Sequence, residues 1–525
     1  MQSSLVIGGF VLPDWVVAQR PNRQKACHQS TLVSIPYKLR RSSSALHHDG
    51  PCAATYDGEF TFRHQRMRQL LQSSSRPPAL VRFGQLAVAG AALVMLSACG
   101  GGTAENVSAQ SQSATAGEPE QASEVDLAQT PDDESESSFK STLAVVKASN
   151  KPIGFAAGVT GGAGGEVVRV RTAKDLEYQL CRTRWVGCTD NEPRVIEIDS
   201  TIDMVADKPL LYANGCTDAK PATCSRPYKP EVMLIVSENE AHRCAGNPTT
   251  KRYSYKDSTG LLVGSNKTIV GVGSKAGVKG LGFKLDKGVQ NIIIRNLSIT
   301  DINYGQVFGG DAITIWGASG VWIDHNYFAR IGRQMIVTGF GDVDKVTLSN
   351  NEFDGRTEYR CDGSHYWNFL LTAPTGRVTM AGNWIHDFSG RAPSLGGNAF
   401  YHFANNLFER TPSNGHAFEI GHGPEEKLNT LIEGNYFKSV NAPVGGPSPF
   451  FGLWKQTAAT RALCTDALGR LCSGNIADPM PQPDAMRQDS AALAAAKKIR
   501  SGMAKPYSAS SVEQSVRANA GVGKI

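Results

Sequence analysis

Six short stretches recur through the second half of the chain and limit what it can fold into: NIIIRNLSI (291–299), VWIDHNYF (321–328), KVTLSNNEF (345–353), RVTMAGNWI (377–385), AFYHFANNLF (399–408) and NTLIEGNYF (429–437). Five of them place an Asn two residues before an apolar or aromatic residue, at Asn326, Asn351, Asn383, Asn406 and Asn435, with intervals of 25, 32, 23 and 29 residues. Periods of this size mark solenoids. Each unit is a β-branched strand and a polar turn, with no room for a crossover helix between every pair. Strands so connected stack about 4.8 Å apart and coil into a right-handed parallel β-helix, an all-β fold. The asparagines then stack at one bend, each amide bonding its neighbour and satisfying backbone groups that the bend leaves unpaired. A β-sandwich would need hairpin turns such as Asn-Gly between strands, and these are scarce in 290–440. The helical spacing of TAKDLEYQL (172–180) predicts a helix capping the open N-terminal end of the coil, where a sheet edge is otherwise exposed.

The N-terminal third reads as an address and a tether. Residues 86–98 are a thirteen-residue apolar run, preceded by Arg76 and Arg82 and ending in Leu96-Ser97-Ala98-Cys99. That is too short to span a bilayer and suits a signal-peptide core. Small residues before a cysteine resemble the bacterial lipoprotein cleavage box, which makes Cys99 the lipidated first residue of an exported protein. The outer membrane, facing the periplasm or the cell surface, or the medium after release, is then its place, with the lipid as its only membrane contact. Met67 is a plausible true start, leaving 1–66 as non-native or disordered and 67–99 as the signal peptide. Residues 100–150 hold two basic and nine acidic residues and almost no aromatics, so they read as a disordered linker. The folded domain is expected over 151–525. Its mild excess of positive charge suits a partly acidic ligand but is too thinly spread to suggest nucleic acid. Eight of the 11 cysteines fall in this domain, an even set that fits disulfides in an oxidising compartment; no C-x-x-C pair suggests a metal site.

Motifs then carry a more specific resemblance. GFAAGVTGG (154–162), GGDAITI (309–315), VWIDHNYFARIGRQ (321–334), CDGSHYW (361–367), SGRAP (389–393), NGHAFEIG (414–421), CTDALGRLC (464–472) and the closing ANAGVGKI follow one another as they do in pectin lyases. The chain resembles that family over roughly 152–525. The resemblance implies cleavage of methyl-esterified polygalacturonate by β-elimination, with pectin as the partner, a C-terminal tail packed on the coil, and a monomer. It puts Arg391 in the position of the base that removes the C5 proton. Arginine normally keeps its proton, with a pKa above about 12, so the role calls for surroundings that destabilise its charge. Arg330 and Arg333 are the expected neighbouring cations, which also stabilise the enolate forming on the ester carbonyl. Asp311 is expected to orient Arg333 through charge-assisted hydrogen bonds. Tyr366, Trp367 and Phe308 are expected to line sugar subsites. The family tends to carry Lys where this chain has Ser394, so one basic neighbour of Arg391 is missing. The resemblance pairs Cys216 with Cys244, Cys224 with Cys361 and Cys464 with Cys472; Cys181–Cys188 would be a local addition.

Related pectate lyases act on the carboxylate form and hold calcium with an acidic cluster. Where they carry part of that cluster this chain reads Ala329-Arg330-Ile331-Gly332-Arg333-Gln334. Fixed cations repel a divalent metal and suit a neutral ester, so no metal and no cofactor is expected. Two alternatives remain open here, a calcium-dependent pectate lyase and a non-catalytic carbohydrate-binding β-helix; a polygalacturonase, hydrolysing with paired carboxylates, would need an acidic cluster near Arg391 that the sequence does not offer.

Overall fold

The recurring strands pair only with their counterparts one period away. The computed structural model describes residues 145–525, except 186, 218–223, 238–240, 242–243, 245–251, 340, 421–427, 446–449, 455 and 481–485. The expected boundaries at 66 and 99, and Cys99 itself, lie outside the described residues. Among the described residues, three parallel sheets of ten, nine and eight strands are visited in rotation. One coil, for example, runs from Ser319–Asp324 in the ten-stranded sheet to Tyr327–Ile331 in the nine-stranded sheet and Ile336–Val337 in the eight-stranded sheet, before Val343–Ser349 begins the next. The fold is a right-handed parallel β-helix, mostly strand, as the periodicity predicts.

Alternating residues point inward and stack along the axis. Phe328 lies on Phe353 with ring centroids 4.8 Å apart, and Phe408 lies on Phe437 at 4.8 Å. Such pairs contribute about 0.5–1.5 kcal/mol each beyond the area they bury. At the bend between the ten- and nine-stranded sheets, Asn326, Asn351, Asn383, Asn406 and Asn435 form the expected ladder. Each side-chain oxygen accepts from the backbone N–H and amide of the Asn one coil earlier at 2.8–3.1 Å, beginning with Asn326 on Asn351. The ladder continues to Asn475, which the periodicity misses. The residue before each rung takes a left-handed backbone, at His325 (φ 52°), Asn350 (φ 51°), Gly382 (φ 68°), Asn405 (φ 55°) and Gly434 (φ 66°), a conformation that Gly and Asn adopt with least strain.

The helix Ala173–Leu180 starts at Thr172, whose hydroxyl accepts from Asp175 N–H, and buries Leu176 and Leu180 in the main core. The C-terminal tail packs on the flanks of the coil: Ala492 and Ala496 of the helix Ser490–Ile499 lie on Phe400, Leu431 and Phe451 of the ten-stranded sheet's outer face, and Val512 and Val516 of Val512–Asn519 lie beside Leu407 on that of the nine-stranded sheet. The boundary at 150 needs a correction. Val146 N–H donates to Ser515 Oγ, Asn519 donates to the Val146 carbonyl, and Arg295 donates to Asn150 Oδ1, so the segment is bound to the body before Lys151. All four expected disulfides are present: Cys181–Cys188, Cys216–Cys244, Cys224–Cys361 and Cys464–Cys472.

Candidate active site

The turns from the nine- to the eight-stranded sheet carry the candidate residues on successive coils. Phe308 and Asp311 precede the strand Ile313–Ile315, Arg333 precedes Ile336–Val337, Tyr366 and Trp367 precede Phe369–Leu371, Arg391 precedes Ser394–Leu395, and His416 and Glu419 lie on His416–Ile420. Backbone bonds hold each turn to the next: Met335 N–H donates to the Asn368 carbonyl at 2.7 Å, Phe369 N–H to that of Arg391 at 2.7 Å, and Ala392 N–H to that of Ala417 at 3.0 Å. Arg333 and Arg391 therefore sit two rungs apart, about 10 Å along the axis at the backbone, with the Tyr366–Trp367 turn between them.

Arg391 has a left-handed backbone (φ 44°), which is costly for a long side chain and is sustained by its surroundings. Its guanidinium lies over Trp367, 4.7 Å from the ring centroid, and 5.6 Å from that of Tyr366. Its Nε is buried without a hydrogen-bond partner, 3.9 Å from Glu419 Oε2. Arg333 lies over Phe308 at 4.7 Å, and its Nε is likewise buried and unpartnered. Behind both, His365 is buried with Nε2 2.8 Å from the Arg333 carbonyl and 3.0 Å from the Trp367 carbonyl, so it joins two of the turns. Two acceptors at one nitrogen make Nε2 the protonated one. Burial lowers its pKa to about 4, which keeps the ring neutral.

Several expectations need correction. Arg330 does not join Arg391: its Nε and Nη2 pair with Asp301 at 2.6 and 2.9 Å, and that hydrogen bonding raises the pKa of Arg330 and lowers that of Asp301. The charged group beside Arg391 is instead an acid, Glu419. Asp311 stands 3.8 Å from Arg333, an ion pair longer than a hydrogen bond, and its Oδ1 accepts from Gln334 N–H. Burial raises the pKa of Asp311, against the pull of Arg333. Trp367 is no open sugar platform. It is 7% exposed, one face lies under Arg391, and Nε1 donates to Glu231 at 3.0 Å. Tyr366 is half-buried, with its hydroxyl donating to Glu419 at 2.7 Å. Phe308 packs on the cluster of Cys216, Met233 and Cys244 as well as on Arg333. Ser394 is fully buried.

The structure also adds residues. Glu419 and His416 come from NGHAFEIG and His365 from CDGSHYW, so their motifs were visible in the sequence although their roles were not. Glu231, and Arg360, whose guanidinium lies 5.4 Å from the Tyr366 ring, come from loops without a readable signal; Cys224–Cys361 ties those loops together. Among the described residues the cluster able to offer three ligand atoms is Asp354, His386 and Asp387, on or next to nine-stranded-sheet strands. Arg356 already holds Asp354, and Arg410 holds Asp387 at 2.7 Å. A separate cavity, lined in part by Lys147, Asn350, Asn405, Lys505 and Asn519, contains none of the residues around Arg391.

Comparison with known proteins gives consistent relatives. A family model described as pectate lyase matches residues 228–525. A probable pectin lyase E from Aspergillus fumigatus is 38% identical over 398 residues, covering 74% of this chain and 98% of that protein. A probable pectin lyase F from Neosartorya fischeri is 38% identical over 393 residues, covering 73% and 97%. Among solved structures, a pectate lyase from Acidovorax avenae subsp citrulli aligns with a TM-score of 0.43 at 18% identity, over 74% of this chain and 99% of that one.

Proposed function

The chain belongs to the pectate lyase family, and from that membership we propose that it is a pectin lyase, a polysaccharide lyase that cleaves methyl-esterified α-1,4-polygalacturonate by β-elimination. The observation that carries the reading is Arg391, stacked on Trp367 with an unpartnered Nε, in a chain 38% identical to proteins named probable pectin lyases. In this reading Arg391 is the base, and one of its terminal nitrogens takes the C5 proton. The electrons of the C5–H bond move toward the C6 ester carbonyl, whose developing charge Arg333 stabilises. They then form the C4–C5 double bond as the C4–O bond breaks; the departing oxygen takes a proton from water and becomes the new reducing-end hydroxyl, and the other fragment keeps an unsaturated end. Asp311 steadies Arg333 from 3.8 Å. Arg330, held by Asp301, supports its own turn and takes no part in the chemistry.

The substrate is the neutral ester and no calcium is needed, because the turn before Ile336–Val337 presents Arg333, and the acids beside the arginines, Asp311 and Glu419, each face a cation. Highly esterified pectin should yield the ultraviolet-absorbing unsaturated product, and a strong chelator should leave that rate unchanged. Activity confined to unesterified polygalacturonate and restored by calcium would instead make the protein a pectate lyase.

Four disulfides support an exported protein. Anchoring through a lipid on Cys99 is the finer proposal, resting on the LSAC sequence at 96–99. Cys99→Ser should then leave the membrane fraction or remain unprocessed. A variant that fractionates and migrates like its parent refutes the anchor.

A further inference from the structure

Glu419 splits its two oxygens. Oε1 receives the Tyr366 hydroxyl at 2.7 Å and lies 2.6 Å from His416 Nε2. Oε2 faces Arg391 Nε at 3.9 Å. That nitrogen is buried with no hydrogen-bond partner, so it is a donor waiting for an acceptor, and the nearby acceptor is a carboxylate fixed from its other side. Arg391 in turn is confined by Trp367 and Tyr366, so a small shift closes the gap.

We propose that Glu419 is a positioning residue that orients the Arg391 side chain. This rests on Arg391 being the base. A carboxylate held on the Nε edge draws Nε–H towards Oε2 and turns the terminal nitrogens towards substrate. A carboxylate behind a metal-bound or catalytic imidazole fixes its orientation in the same manner. Tyr366 and His416 hold the carboxylate, and the Arg360 guanidinium lies 5.4 Å from the Tyr366 ring centroid.

The test compares Glu419→Ala and Glu419→Gln with the parent on highly esterified pectin, separating kcat from KM, with Arg391→Ala run alongside. Glu419→Ala should lower kcat about 10–100-fold, the usual effect of removing such a partner, with KM little changed. Glu419→Gln, whose carbonyl oxygen still accepts Nε–H, should recover most of kcat. Thermal unfolding checks that each variant folds; should Glu419→Ala not fold, Glu419→Met, apolar and of similar reach, takes its place with the same expectation. Parental kcat in the Ala or Met variant, while Arg391→Ala is inactive, overturns the positioning role and leaves the reading of Arg391 standing. Equal loss in the Gln and Ala variants, expressed in KM, also overturns it. Full activity in Arg391→Ala overturns the reading beneath it.

Discussion

At the scale of single residues, the site depends on side chains that share one partner between two turns. His365 is the clearest case, since its one protonated nitrogen serves the carbonyls of Arg333 and Trp367. Burial holds its folded pKa near 4 against an ordinary value near 6.5. Below pH 6.5 the unfolded chain therefore gains a proton that the folded one refuses. The stabilisation is complete above that pH and is lost as pH falls from 6.5 towards 4. His365→Gln keeps a donor but does not titrate, so the fall in unfolding free energy across this window should shrink by an amount on the order of a few kcal/mol. Denaturant titrations at pH 7 and pH 4.5 measure it; an unchanged pH slope contradicts the assignment. The arginines were legible because each sits in a recognisable motif. Their partners were not, because a motif names neighbours along the chain, whereas Arg330 pairs with Asp301 one coil back and Arg391 faces Glu419 one coil on.

At the scale of elements, the coil is held by its repeating bend. Asn383 is fully buried, donates to the Leu348 carbonyl at 2.9 Å and to Asn406 at 2.8 Å, and accepts from Asn351. Asn383→Ala takes the side-chain donor from the Leu348 carbonyl and the acceptor from the Asn351 backbone N–H in the interior, each costing about 1–3 kcal/mol. Denaturant unfolding should show a loss of at least about 2 kcal/mol, whereas loss within experimental error would mean the ladder carries no stability. The period that predicts the ladder also explains where it fails. From Asn435 to Asn475 the interval is 40 residues, longer than any before it, because the Cys464–Cys472 excursion with its two short helices is inserted there. The cap at Ala173–Leu180 was readable from its spacing. The antiparallel pairing of Leu210–Thr217 with Arg252–Lys256 was not, since that stretch has no period.

At the scale of the whole molecule, a long rigid coil brings residues far apart in sequence onto one flank, from Phe308 to Glu419, and the N-terminal excursion adds Glu231 beneath Trp367. Cys224–Cys361 ties that excursion to the coil, while Cys181–Cys188, Cys216–Cys244 and Cys464–Cys472 bridge residues only 7, 28 and 8 apart. Chain architecture was therefore legible from periodicity and motif order, while the electrostatics around Arg391 emerged only once neighbouring coils were stacked. The account stands most directly on one measurement: the initial rate of ultraviolet-absorbing product from highly esterified pectin, for the parent and for Arg391→Ala. The parent should form the unsaturated product, and the variant, folded and still binding pectin, should lose about 10²–10⁴ in rate, as expected when a positioned base is removed. Near-parental elimination by Arg391→Ala, or a parent that forms no unsaturated product, would contradict it.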